Sequence, residues 1–250
     1  MTRTVAALIG VSNPDPFEFQ GRTFDFATAV GVHGDIAWYE SLLKNEIRRD
    51  RLTIHVWSEP HQTTVASIRS NLSTLAESVD TGDTIVLILV GHGFQVRDES
   101  GDESDAKDEV FAAQDGPIAD DFFSHLWTSV RSDVSVVVIA DTCSSDSVGL
   151  AGFESPDEHI HVPVRGPARL SISASRAWEE AEAVRHLKDG RGVMSRALED
   201  AWMSVAGAQE SYLAWFRNAA ELVAARGYRQ RPQLRYLGPD TELLVRKPFD

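Results

Sequence analysis

A single α/β domain, with a mainly parallel central sheet of about six strands and helices flanking it, is the fold this sequence predicts. Two observations carry that expectation. Short β-rich runs alternate with amphipathic stretches along the 250 residues. Two of the runs, Thr84–Val90 and Val134–Ala140, are apolar almost throughout, as strands buried on both faces are. No internal repeat or low-complexity linker divides the chain, so residues 1–250 are read as one domain.

The elements follow in order. Thr4–Val11 is a first strand, and Val30–Ile47 has helical spacing. Leu52–Trp57 is a second strand. Gln62–Val79 is a second helix, with Val65, Ile68, Leu72 and Leu75 on one stripe. Between the two apolar runs lie a long acidic loop, Phe94–Pro117, and a helix, Ile118–Val130. A loop of that length in a compact domain is usually functional. An irregular stretch runs to Pro167, then a strand at Arg169–Ser173 and helices near Val193–Val205 and Glu210–Ala225. The tail, Gln233–Leu237 with Leu243–Val245, is read as a last strand or hairpin.

Composition narrows the function. Hydrophobic residues make up 42%, enough for a core that needs no staple. The net charge of −14 argues against a nucleic-acid partner, because phosphate contact needs a basic face. Cys143 is the one cysteine, so no internal disulfide forms and a reducing compartment fits. No stretch approaches membrane-spanning length, and the apolar run near Met1 is too short for a signal peptide. A cytoplasmic location is expected, with no membrane partner.

Two segments share one form, a buried strand followed by a sharp polar tip. One ends Leu89-Val90-Gly91-His92-Gly93, the other Ile139-Ala140-Asp141-Thr142-Cys143. Sites in open parallel sheets form beyond the carboxyl ends of adjacent strands. If the strands are neighbours, an imidazole and a thiol meet in one crevice. A thiol is mostly protonated at neutral pH, and a nearby imidazole can take its proton. The amides of Gly93 and Cys143 are candidate donors to a developing oxyanion. Taken alone, a buried cysteine is more often a small hydrophobe, and a His-Gly pair is common.

A family resemblance rests on longer motifs. His92-Gly93-Phe94-Gln95, then Asp98 with Gly101-Asp102-Glu103, Asp105 and Asp108-Glu109, resembles the metacaspase run that begins His-Gly-x-Gln and continues through an acidic stretch. Ile118-Ala119-Asp120-Asp121 resembles the Ile-x-Asp-Asp of that family, and Asp141-Thr142-Cys143 its Asp-Ser-Cys. Gly31-Val32-His33-Gly34-Asp35, Ser171–Ser175, Gly192-Val193-Met194-Ser195 and Gln230-Arg231-Pro232-Gln233 are similar to flanking family segments. The spacing of about 50 residues from histidine to cysteine is that of caspases. The chain departs in Ser144-Ser145-Asp146 after the cysteine, in Val90 before Gly91, and in lacking the caspase Gln-Ala-Cys-Arg-Gly.

The resemblance implies a caspase-like (caspase-hemoglobinase) sandwich. About 1–150 would be the large-subunit-like part and about 168–250 the small-subunit-like part. It implies a cysteine endopeptidase using His92 and Cys143, needing no cofactor for its chemistry and acting on protein or peptide substrates. Asp35 and Asp141 match the carboxylates of an S1 pocket for Arg or Lys, which a guanidinium can bridge. An Asp-specific pocket would need converging arginines, and none stands at the matching positions. Ser173 and Trp178 are expected along the substrate groove, with the segment near Ser173 pairing with substrate backbone. Asp105, Asp108, Asp120 and Asp121 are candidate calcium ligands, and Arg165 a candidate self-cleavage point. Leu150 falls near the place of one further family ligand and cannot coordinate, leaving Asp146 as a substitute. By analogy the activator is calcium, a protein or a nucleotide-derived signal, with a triggered role in bacterial defence or cell death. The alternatives are a non-catalytic regulatory module of the same fold, a calcium-binding interaction module, and a hydrolase acting on something other than peptides.

Overall fold

A computed structural model describes residues 2–99, 101, 106–143, 158–161, 166–175, 190–204 and 210–250. Its centre is a seven-stranded sheet. In chain order the first elements are β1 (Thr4–Gly10), a small hairpin β2 (Phe17–Phe19) and β3 (Arg22–Phe24), helix α1 (Val32–Glu46), β4 (Leu52–Trp57), α2 (Val65–Glu77) and β5 (Thr84–Val90). Then come β6 (Gly93–Arg97), β7 (Lys107–Ala113), β8 (Gly116–Ala119), α3 (Asp120–Ser129), β9 (Ser135–Asp141), β10 (Glu158–His161) and β11 (Ala168–Ser173). The chain closes with α4 (Val193–Met203), α5 (Tyr212–Ala225), β12 (Gln233–Leu237) and α6 (Glu242–Val245).

The strand order is β10-β12-β11-β9-β5-β1-β4. Strands β11, β9, β5, β1 and β4 run parallel, while β12 is antiparallel to β11 and carries β10 with it. Alternation along each strand sorts the core into two layers. One face presents Leu8, Val86, Ile88, Val137, Ile139 and Leu170 to α1, α4 and α5. The other presents Ile9, Leu87, Leu89, Val136 and Val138 to α2 and α3. Burying each Leu, Ile or Val contributes about 1.5–3 kcal/mol, so the middle strands, β5 above all, anchor the fold. Side-chain caps define two helix starts: Thr64 accepts from the Ser67 amide at α2, and Ser211 from the Ala214 amide at α5.

Two expectations are corrected. The stretch expected as a long acidic loop at Phe94–Pro117 is largely a three-stranded antiparallel sheet, β6-β7-β8. Its acidic residues masked the strand pattern, although Asp108 and Glu109 are buried within β7. In the tail, Leu243 and Leu244 pack inward from the helical turn α6 rather than from a strand. The span to Pro167 also carries β10, an edge strand beside β12, and the mainly parallel sheet flanked by helices is the one expected.

Candidate active site

The tips of β5 and β9 come together. The strands are adjacent and in register from Thr84↔Ser135 to Val90↔Asp141. The Gly91 amide continues the ladder to the Asp141 carbonyl at 3.3 Å. Just beyond, Gly93 lies so close to Cys143 that a Cβ there would overlap the Cys143 carbonyl oxygen. Only glycine permits that approach. His92 and Cys143, both partly exposed, therefore leave one end of the sheet side by side. The His92 carbonyl accepts from the Ala112 amide at 3.0 Å, which ties the histidine tip to β7.

The imidazole is oriented by residues that no sequence pattern announces. His92 Nε2 lies 2.7 Å from the Ala27 carbonyl oxygen. A carbonyl only accepts, so Nε2 carries the proton and Nδ1 keeps a lone pair. Phe26 stacks on the ring at 4.9 Å, and Phe94, Phe24 and Phe17 extend the aromatic layer. Burial under these rings pushes the His92 pKa below its usual 6.5, against the opposing effect of the Ala27 bond. At neutral pH the ring is a neutral base.

Asp35 and Asp141 also meet, around the start of α4. Asp35, on the first turn of α1, accepts from Arg191 Nε at 2.7 Å and from the Gly192 amide at 2.8 Å. Asp141 accepts from the Ser195 amide at 2.8 Å, so it caps α4. The Ser195 hydroxyl lies 3.3 Å from that of Tyr39, which is also wholly buried. Burial, then the charge of Asp141, pushes the Asp35 pKa up to about 7. Burial also raises that of Asp141. No arginine was expected here; Arg191 reaches Asp35 across 156 residues of sequence, and its Nη1 binds Glu199.

The remaining predicted positions fall elsewhere. Ser173 is buried, and its strand is paired on both sides, Ser173 opposite Ala140 and Gln233. At Ser173 itself β11 has no open edge, and the positions that follow, 176–189, lie outside the described residues. Asp108 and Asp121 line a cleft of about 390 Å³ with Arg69, Glu99 and His125, while Asp120 is buried at the start of α3. Among the described residues no group of three or more His, Cys, Asp or Glu is arranged to hold a metal ion. Asp105, Asp146, Leu150, Arg165 and Trp178 lie outside the described residues. Among those described, no helix is long and apolar enough to cross a membrane.

Known proteins resemble this chain in sequence and in fold. The family profile "metacaspase, peptidase C14 domain" matches residues 27–149. Metacaspase-7 of Arabidopsis thaliana is 35% identical over 86 residues, 34% of this chain and 21% of the relative. Metacaspase-4 of the same plant is 36% identical over a stretch of the same extent. The matched stretch thus spans only about a fifth of those relatives. Among solved structures, protein GSU0716 of Geobacter sulfurreducens superposes with a TM-score of 0.73 at 19% identity, covering 99% of this chain and 98% of its own. Caspase-1 of Spodoptera frugiperda superposes with a TM-score of 0.58 at 14% identity, over 95% and 91%. The chain is caspase/metacaspase-like in sequence and has the caspase-like fold.

Proposed function

We propose that this caspase/metacaspase-like chain is a cysteine endopeptidase that cleaves peptide bonds after Arg or Lys, with His92 and Cys143 as its dyad. The observation that carries the reading is the contact of the two strand tips, with Gly93 seated on the backbone of Cys143. His92 Nδ1 takes the thiol proton while Nε2–H stays on Ala27. The thiolate attacks the scissile carbonyl carbon, and the amides of Gly93 and Cys143 stabilise the oxyanion. The imidazolium returns its proton to the leaving amine, giving a thioester. Water, deprotonated by His92, then hydrolyses the thioester and frees the cysteine.

The preference for a basic P1 side chain rests on Asp35, on the first turn of α1, and Asp141, at the end of β9 two residues before the cysteine, both buried. Calcium is read as a candidate activator because Asp108 and Asp121 share one cleft. A triggered role in bacterial defence or cell death, set off by calcium, a protein or a nucleotide-derived signal, is carried by family likeness alone.

Fluorogenic peptides with P1 Arg, Lys or Asp, assayed with and without calcium, test all of this. Turnover of the Arg or Lys peptide that is lost in Cys143→Ala is expected. Preferred turnover of the Asp peptide sinks the pocket assignment. If no peptide is cleaved and Cys143 resists alkylation near neutral pH, the chain is instead a non-catalytic member of the fold.

A further inference from the structure

The acidic pair read above as the P1 pocket already holds a guanidinium, and it is the chain's own. Arg191 is 8% exposed. Its Nε donates to Asp35, the next residue's amide donates to the other Asp35 oxygen, and Nη1 binds Glu199. The backbone has been shaped for this turn. Gly31, just ahead of α1, lies so tightly on Gly190 and Arg191 that a Cβ would overlap both. The Trp38 ring sits 6.0 Å from the guanidinium carbon.

The hold is incomplete in two respects. Arg191 Nη2 is buried and finds no acceptor among the described residues. Asp35, Asp141 and Glu199 bring three carboxyl groups to one arginine, and burial, then the charge of Asp141, holds the Asp35 pKa up at about 7 although Arg191 lowers it. Replacing one buried guanidinium with another changes little in the local charge balance, so exchange is governed by how firmly the turn is anchored.

We propose that Arg191 is the resident occupant of the basic-residue pocket, a specificity-determining latch that a substrate's P1 arginine or lysine must displace from Asp35 by moving the Gly190–Gly192 turn. The proposal rests on the reading of Asp35 and Asp141 as the P1 pocket. It makes KM for basic peptides, rather than the chemical step, the quantity that Arg191 sets. The same turn leads into α4, which Asp141 caps, so substrate entry and the seating of that helix are mechanically linked.

The test compares wild type, Arg191→Gln and Glu199→Gln on P1 Arg, Lys, Asp and Ala peptides. Alkylation of Cys143 by iodoacetamide, which needs no P1 pocket, reports whether the strand tips are intact. Loss of a charge-assisted hydrogen bond predicts that Arg191→Gln lowers KM for the Arg peptide about tenfold. Glu199→Gln keeps the arginine and loosens one anchor, for a fall of roughly threefold. If Arg191→Gln does not fold, Glu199→Gln decides alone. A KM for the Arg peptide that is unchanged or higher in Glu199→Gln overturns the latch. It leaves the Arg/Lys reading standing, because wild type still cleaves that peptide. Cleavage only after Asp or Ala, in wild type and variants alike, overturns the pocket reading and the latch together.

Discussion

The strand tips and the helix starts meet within two residues at the end of β9, at Cys143 and Asp141, yet they are built in opposite ways. The tips of β5 and β9 are placed by backbone. Their ladder brings them into register, a glycine lets them touch, and a carbonyl orients the imidazole. The pocket at the starts of α1 and α4 is placed by side chains that join distant parts of the chain and are almost wholly buried. On the proposed function, chemistry would depend on main-chain geometry, and recognition on charge balance among buried side chains. Substitutions at the tips should therefore cost rate and spare stability, and substitutions in the pocket should do the reverse.

The largest expected effect is at the tip. His92→Ala should lower kcat about 10²–10⁴-fold, the usual worth of a positioned base, while its urea midpoint stays near that of wild type. A loss of stability comparable to that of a core variant would break the contrast. On the pocket side, Asp141→Ala leaves the Ser195 amide and the start of α4 without their acceptor. A loss of about 1–3 kcal/mol in urea unfolding is expected.

A smaller effect sharpens the comparison through pH. The Asp35 carboxyl is raised to about 7 in the folded chain from an ordinary 3.8. Between those values the folded state holds more protons than the unfolded one, so stability falls as pH rises from about 4 to about 7. Asp35→Asn should flatten that fall in unfolding curves taken across the range. The smallest effect returns to the tip. With the His92 pKa below 6.5, the acid limb of kcat/KM should centre below pH 6.5, and Phe26→Ala, by admitting water, should move it upward.

The same division decided what could be read from sequence. Thr84–Val90 was legible to the residue because every position is buried, leaving an unbroken apolar run. The neighbouring Gly93–Ala119 region was misread because β7 carries Asp108 and Glu109 inward, where charge reads as loop. In the tail, Leu-Leu-Val is too short a run to distinguish a turn of helix from a strand. The meeting of His92 and Cys143 at one end of the sheet was legible because a strand followed by a polar tip is a local pattern. Arg191 was missed because its partner is 156 residues away. The available hint was chemical: two buried carboxylates need a cation, and Gly190-Arg191-Gly192 offers one at a helix start. Ala27 acts through its carbonyl, which side-chain identity does not reveal.

One short stretch joins the two regions. The Ala27 carbonyl accepts a hydrogen bond from the imidazole, and eight positions later Asp35 grips the arginine, with Gly31 between them against the Arg191 turn. A lengthening or shortening of this segment would alter basicity at the histidine and selectivity at the pocket in a single stroke. On the proposed function, variation in those few residues would change rate and selectivity together without touching the sheet.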